Sequence, residues 1–195
     1  MKSNEELSVE LSELNKEMYK CEKCELCKLE VNKGEGKLRG EGSRYKIMCV
    51  AQNPSINRKS PGVFLKGSKN NDLFIKMMEL CGFRRESYYV TNLVKCSKLN
   101  NDELSGSEIK CCNCWVRKEI ELLRPRVIIC IGSESGEYFD INKEMTYRIG
   151  IDGIIYFKVQ HPSYILRNDY DDEYYSKEFI YIKDKMHELG VYNDG

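Results

Sequence analysis

The grouping of this chain's ten cysteines constrains its fold more than any other feature. Cys21 and Cys24 form a C-x-x-C, Cys96 ends an apolar run, and Cys111, Cys112 and Cys114 crowd the start of a helical segment. If these groups act together, the fold must bring three distant segments to one place. Cysteines grouped in this way bind metal or do redox chemistry in reducing compartments and pair as disulfides in oxidising ones. The stretch MKSNEELSVELSEL is charged and amphipathic, without the apolar core of a secretory signal. No run approaches the ~20 apolar residues that span a bilayer. The expectation is a protein of the cytoplasm, independent of membranes, with a structural metal or iron–sulfur centre.

Charge adds a weaker hint. Lys plus Arg and Asp plus Glu balance at 31 each, so nothing global points to nucleic acid. Residues 16–85, however, hold sixteen Lys and Arg against eight Asp and Glu. Such a segment fits a polyanion-binding face or an ordinary solvated surface equally well.

Ser3-x-x-Glu6 is a capping box, and Leu7, Leu11, Leu14 and Met18 follow as the stripe of an amphipathic helix. Residues 46–51 (KIMCVA) read as a buried strand, 52–67 as a Pro- and Gly-bearing loop, and Leu73, Phe74, Met77, Met78 and Cys81 as one helix face ended by Gly82. Residues 88–94 (YYVTNLV) are β-branched and aromatic, hence a strand. A second capping box, Ser105-x-x-Glu108, opens a helix with Ile109, Cys112, Val116, Ile120 and Leu123 on one face, stopped by Pro125. Residues 127–131 and 154–159 complete four strands. Gly132 turns the chain into a further helix, and 171–189 closes it with another.

Apolar strands alternating with helices predict an α/β fold: a single-domain, three-layer α/β/α sandwich over residues 1–195 with a mainly parallel, four-stranded central sheet. In such sheets ligands bind beyond the carboxyl ends of the strands. Gln52-Asn53-Pro54, Asn92 and His161-Pro162-Ser163 all fall near such ends, and the residues before proline are held extended. Convergence of these polar groups predicts an active cleft. No P-loop and no G-x-G-x-x-G is present, and GSESG (132–136) fails as a nucleophile elbow because its centre is Glu134. Cys49, Cys81 and Cys130 lie on apolar faces and read as core. The tyrosines between 164 and 181 read as helix packing.

YVTNLVKC (89–96), the C-x-x-C after an amino-terminal helix, residues 108–132 and HPSYILR (161–167) together resemble the iron–sulfur, family 4 branch of the uracil-DNA glycosylases, in the family order. The resemblance runs from about Cys21 to Arg167. It implies a monofunctional DNA repair enzyme that flips uracil, or a related deaminated base, out of DNA and hydrolyses its glycosidic bond. No lysine matches a Schiff-base position. The partner implied is uracil-containing DNA, met by a monomer at the nucleoid, with replication or repair proteins as further partners left open.

The resemblance also implies roles. A [4Fe-4S] cluster, rather than zinc, would be held by Cys21, Cys24, Cys96 and one of Cys111, Cys112 and Cys114. Cys112 follows Cys96 at the family's spacing of sixteen residues and is preferred, with Cys111 next. Residues 1–30 would pack on the cluster, with Cys27 a spare thiol. Asn92 matches the asparagine that reads the uracil edge, an amide suiting O4 and N3–H. As a strand-end residue it could instead bond nearby backbone. His161 matches the histidine set near uracil O2 to stabilise developing charge. Ser163 to Arg167 would form the loop that enters DNA, with Ile165 or Leu166 as wedge or as core and Arg167 at phosphate. Phe64 is a loose match to the stacking aromatic.

The first motif departs from the family. Ala51-Gln52-Asn53-Pro54-Ser55 lacks its glutamate and glycines. Asn53 instead resembles the water-orienting asparagine of the mismatch-specific branch, with Gln52 as a pocket contact. This departure keeps open a non-catalytic nucleic-acid-binding relative. A metal or redox sensor would leave Asn53, Asn92 and His161 at the strand ends unexplained.

Overall fold

The computed structural model describes residues 3–42, 46–56, 68–99 and 103–191. Its centre is one sheet of β1 (Ile47–Ala51), β2 (Tyr89–Asn92), β3 (Val127–Ile131), β4 (Tyr147–Ile149) and β5 (Ile155–Val159), in the order β2-β1-β3-β5-β4. β2, β1, β3 and β5 run parallel, with Met48 beside Ile128 and Ile128 beside Tyr156. β1, β2, β3 and β5 are buried along their whole length, which is why they read as continuous apolar runs.

The sheet has five strands where four were expected. The fifth, β4, is antiparallel to β5 and closes that edge. It is three residues long and largely exposed, and its Tyr-Arg-Ile is too short to stand out as a strand. At the opposite edge, Glu41 and Val90 exchange main-chain hydrogen bonds at 2.8 and 2.7 Å and cover part of β2.

Side chains alternate across the sheet and divide the core into two layers. Cys49, Ile129 and Phe157 meet Phe74, Met77, Tyr175, Phe179 and Ile182 of α2 (Lys69–Leu80) and α7 (Asp172–Glu188). Met48, Val50, Ile128 and Cys130 meet Leu11 of α1 (Asn4–Tyr19) and Val116 and Leu123 of α4 (Cys114–Leu123). This is the three-layer arrangement. Burial raises the thiols of Cys81 and Cys130 to about 11 and about 12, so these core cysteines are inert. Among the described residues no helix is long and apolar enough to cross a membrane.

Two helical boundaries differ from expectation. The helix after Ser105 breaks at Asn113 into α3 (Gly106–Cys112) and α4. The capping box and the Pro125 stop are real, but the apolar stripe runs on through the break and hides it. Residues after His161 form a short helix, α6 (Pro162–Arg167), where a loop was expected. Pro162 takes the first helical position, where its missing N–H costs nothing, and His161 caps it. Ile165 is buried in the core on this helix, which removes it as a DNA wedge; Leu166 is 39% exposed. Tyr175 packs inside, but Tyr164, Tyr170 and Tyr174 are exposed and lie against one another.

Candidate active site and thiol cluster

A cleft of about 780 Å³ opens beyond the carboxyl ends of β1, β3 and β5. Gln52, Asn53, His161, Ser163 and Arg167 all line it, so these expected site residues share one cavity. Gln52 and Asn53 leave β1 on a braced path. The Leu93 and Val94 N–H groups donate to the carbonyls of Ala51 and Gln52 at 2.8 and 2.9 Å, extending the β1–β2 ladder past the strand ends. Asn53 Nδ2 donates weakly to the Pro54 carbonyl at 3.3 Å, leaving its amide oxygen toward other partners.

His161 is held more firmly. Its backbone is extended, at φ −70° and ψ 134°, as its place before proline requires. Nδ1 accepts from the Ser163 N–H at 3.1 Å and lies 2.7 Å from Ser163 Oγ. An Nδ1 that accepts carries no proton, so the neutral ring bears its hydrogen on Nε2. Burial, with the Arg167 charge acting in the same direction, pushes the imidazole down to about 4. The ring is therefore a neutral N–H donor at physiological pH. Gly132, at φ 90°, ends β3 beside it; a Cβ there would come within 3.3 Å of His161 Cβ.

Asn92 ends β2 with only 1% of its surface exposed, and neither atom of its amide has a partner among the described residues. This excludes the alternative that it bonds nearby backbone. Leaving a buried donor and acceptor unmade costs roughly 1–3 kcal/mol each. Asn92 is not among the residues that line the cleft. Phe64 falls outside the described residues.

The distant cysteines meet. Cys96 and Cys112 are buried with Met18, Leu26, Val94 and Trp115, and Cys21, Cys24 and Cys114 pack against the same cluster. Residues 1–30 contribute to it through Met18, Leu26 and the C-x-x-C. Burial raises the Cys96 thiol to about 12 and the Cys112 thiol to about 11. The Lys95 N–H points at Cys112 Sγ, 3.2 Å away. Cys111 is absent from the cluster, and Cys114 is engaged by Lys23 Nζ at 3.1 Å. Among the described residues no three His, Cys, Asp or Glu side chains are gathered tightly enough for a single ion.

Sequence reading missed the group between cleft and cluster. Lys95 and Glu119 form a buried ion pair at 2.7 Å, and Thr91 and Tyr89 donate to the same carboxylate at 2.9 and 3.2 Å. The signals were a lysine within an apolar run and a glutamate on the apolar face of α4. Lys158 is likewise buried on β5, paired with Glu144 at 2.9 Å on the cleft wall.

A parallel α/β sheet with polar side chains converging beyond its strand ends defines an α/β enzyme with its site in the usual crevice. The family model for the Uracil DNA glycosylase superfamily matches residues 39–182, and the chain belongs to that superfamily. Within it the chain groups with the type-4 branch. It is 30% identical to the type-4 uracil-DNA glycosylase of Saccharolobus solfataricus, over 87% of this chain and 83% of the relative. It is 27% identical to the Archaeoglobus fulgidus protein of the same name (87% and 89% covered) and 29% to that of Thermotoga maritima (82% and 85%).

Proposed function

We propose that the chain hydrolyses the glycosidic bond between uracil and deoxyribose in DNA, as a monomeric repair enzyme of the cytoplasm folded as one domain over residues 1–195. The observation that carries this reading is His161, a half-buried neutral imidazole on the cleft wall, fixed with Nε2–H as its free donor. A flipped base entering the cleft presents O2 and N3–H/O4 on different edges. Asn92 offers its unpartnered amide to the N3–H/O4 edge, and Nε2–H of His161 donates to O2. As the C1′–N1 bond breaks, its electron pair leaves with the base and negative charge collects on O2. A donor already aimed there stabilises the transition state more than the ground state. A neutral donor also keeps its own proton, so uracil departs as an anion.

Asn53, on the cleft wall, orients the water that adds to C1′. It has no basic group, so the water's proton passes to solvent after attack. Gln52 supports the base pocket, Phe64 is the stacking aromatic, Ser163 holds the imidazole and Arg167 meets backbone phosphate. Leu166 is the exposed apolar side chain that fits the gap left by the flipped base.

Cys21, Cys24, Cys96 and Cys112 are proposed to hold a [4Fe-4S] cluster. Thiolates from several segments around one volume fit it, with the Lys95 N–H directed at one sulfur. When bound, the cluster would cross-link these segments and take no step of the hydrolysis.

The test is incubation of anaerobically purified protein with an oligonucleotide carrying one uracil, as U:G, as U:A and single-stranded, followed by alkaline cleavage of abasic sites. Cleavage that requires uracil is the expected result. Absence of cleavage by protein with intact iron–sulfur absorbance would overturn uracil excision and favour a non-catalytic binder.

A further inference from the structure

We propose that Glu178 and Tyr175 are positioning residues for the reaction, gripping both main-chain groups of Gln160 and so fixing the place of His161. This rests on the role given to His161 above.

Gln160 is the residue between the end of β5 and His161. Its N–H donates to Glu178 Oε2 at 2.8 Å, and its carbonyl accepts from the Tyr175 hydroxyl at 2.7 Å. Both side chains come from α7, three residues apart, and so project from one helix face. Phe179, Ile182 and Met186 seat that face in the core, which makes the grip rigid. On the facing side, the Gly132 N–H donates to the Val159 carbonyl at 2.9 Å. The backbone entering His161 is thus tied on both sides, while Ser163 holds the ring from behind.

Ordering a strand end does not require a carboxylate. Glu178 is 5% exposed, and a carboxylate at that depth is costly to bury. Burial, opposed by the Gln160 N–H, aided by Glu144 and opposed by the Lys158 charge, holds its acid up at about 7. Lys158 is itself paired with Glu144. The carboxylate therefore spends its hydrogen bonding on the main chain one residue before His161. Placement matters there, because an error of about 1 Å in a reacting contact can cost up to ~100-fold.

The test is single-turnover excision from a U:G duplex by the full chain, with each variant's folding checked by thermal melting. Glu178→Ala and Tyr175→Phe should each lower the excision rate by about tenfold with KM unchanged. Glu178→Gln, which keeps an acceptor oxygen, should recover to within about threefold of the parent rate. In a His161→Ala background, Glu178→Ala and Tyr175→Phe should change the rate by less than about twofold. If Glu178→Ala does not fold, Tyr175→Phe, which keeps the ring, and Glu178→Gln decide the matter. Full rates in Glu178→Ala and Tyr175→Phe, or equal losses with and without His161, would overturn the proposal and leave the glycosylase reading standing. A His161→Ala enzyme as fast as the parent would remove the role of His161 and this proposal with it, while uracil excision itself would stand.

Discussion

The cleft and the thiol cluster are joined by the short segment from Asn92 to Cys96, yet they are built by opposite means. The cleft is made of backbone. Each polar group sits at a strand end, before a proline or at a helix cap, and main-chain hydrogen bonds fix its direction. The cluster is made of side chains from three distant segments, packed into an apolar pocket with little to hold them but each other and burial. A site built on strand ends survives the loss of any one side chain as a shape and fails only in chemistry. The cluster packs Cys96 and Cys112 among Met18, Leu26, Val94 and Trp115, so a change at either is expected to reach local packing as well as chemistry.

That contrast can be broken in several ways, the largest effect first. Cys112→Ser should abolish iron binding and lower the melting temperature sharply, whereas Cys111→Ser should leave both close to the parent; iron content and thermal melting check this. Equal effects of the two would erase the assignment of the fourth ligand. Next, Glu119→Ala leaves the Lys95 ammonium buried without its carboxylate and should cost about 3–5 kcal/mol in denaturant unfolding. Replacing Lys95 and Glu119 together by apolar residues of similar volume should cost much less. A smaller contrast lies along α6. Ile165→Ala should destabilise by about 2–5 kcal/mol. Leu166→Ala should leave stability within about 0.5 kcal/mol but slow excision from duplex DNA several-fold relative to single strands. Equal behaviour of the two would remove Leu166 as the wedge.

Much of the fold was legible because β1, β2, β3 and β5 are buried on both faces and so print as unbroken apolar runs. β4 was not, since three residues at an exposed edge print nothing. The break at Asn113 was hidden because α3 and α4 share one apolar stripe. In the cleft, Asn53, His161 and Ser163 could be read from their places beside proline and at strand ends. The groups that hold them could not. Glu178 looks like any helix glutamate until α7 is docked, and Lys95 and Glu119 are far apart in sequence. Pairings of this kind arise only from tertiary packing, which no local pattern encodes. The preference for Cys112 over Cys111 and Cys114 came from the family's spacing relative to Cys96; Cys112 is buried in the cluster, Cys114 packs against it, and Cys111 is not part of it.

The account turns on a neutral imidazole in the cleft. The direct measurement is single-turnover uracil excision between pH 5 and 8 by the parent and by His161→Ala, both with intact iron–sulfur absorbance. Burial lowers the folded imidazole from 6.5 to about 4, so the ring stays neutral across this range and protonates only below it. The parent rate should therefore show no inflection near pH 6.5, and His161→Ala should be slower by about 10²–10³-fold throughout. A parent rate that follows a group titrating near 6.5 and vanishes with His161, or a variant as fast as the parent, would contradict it.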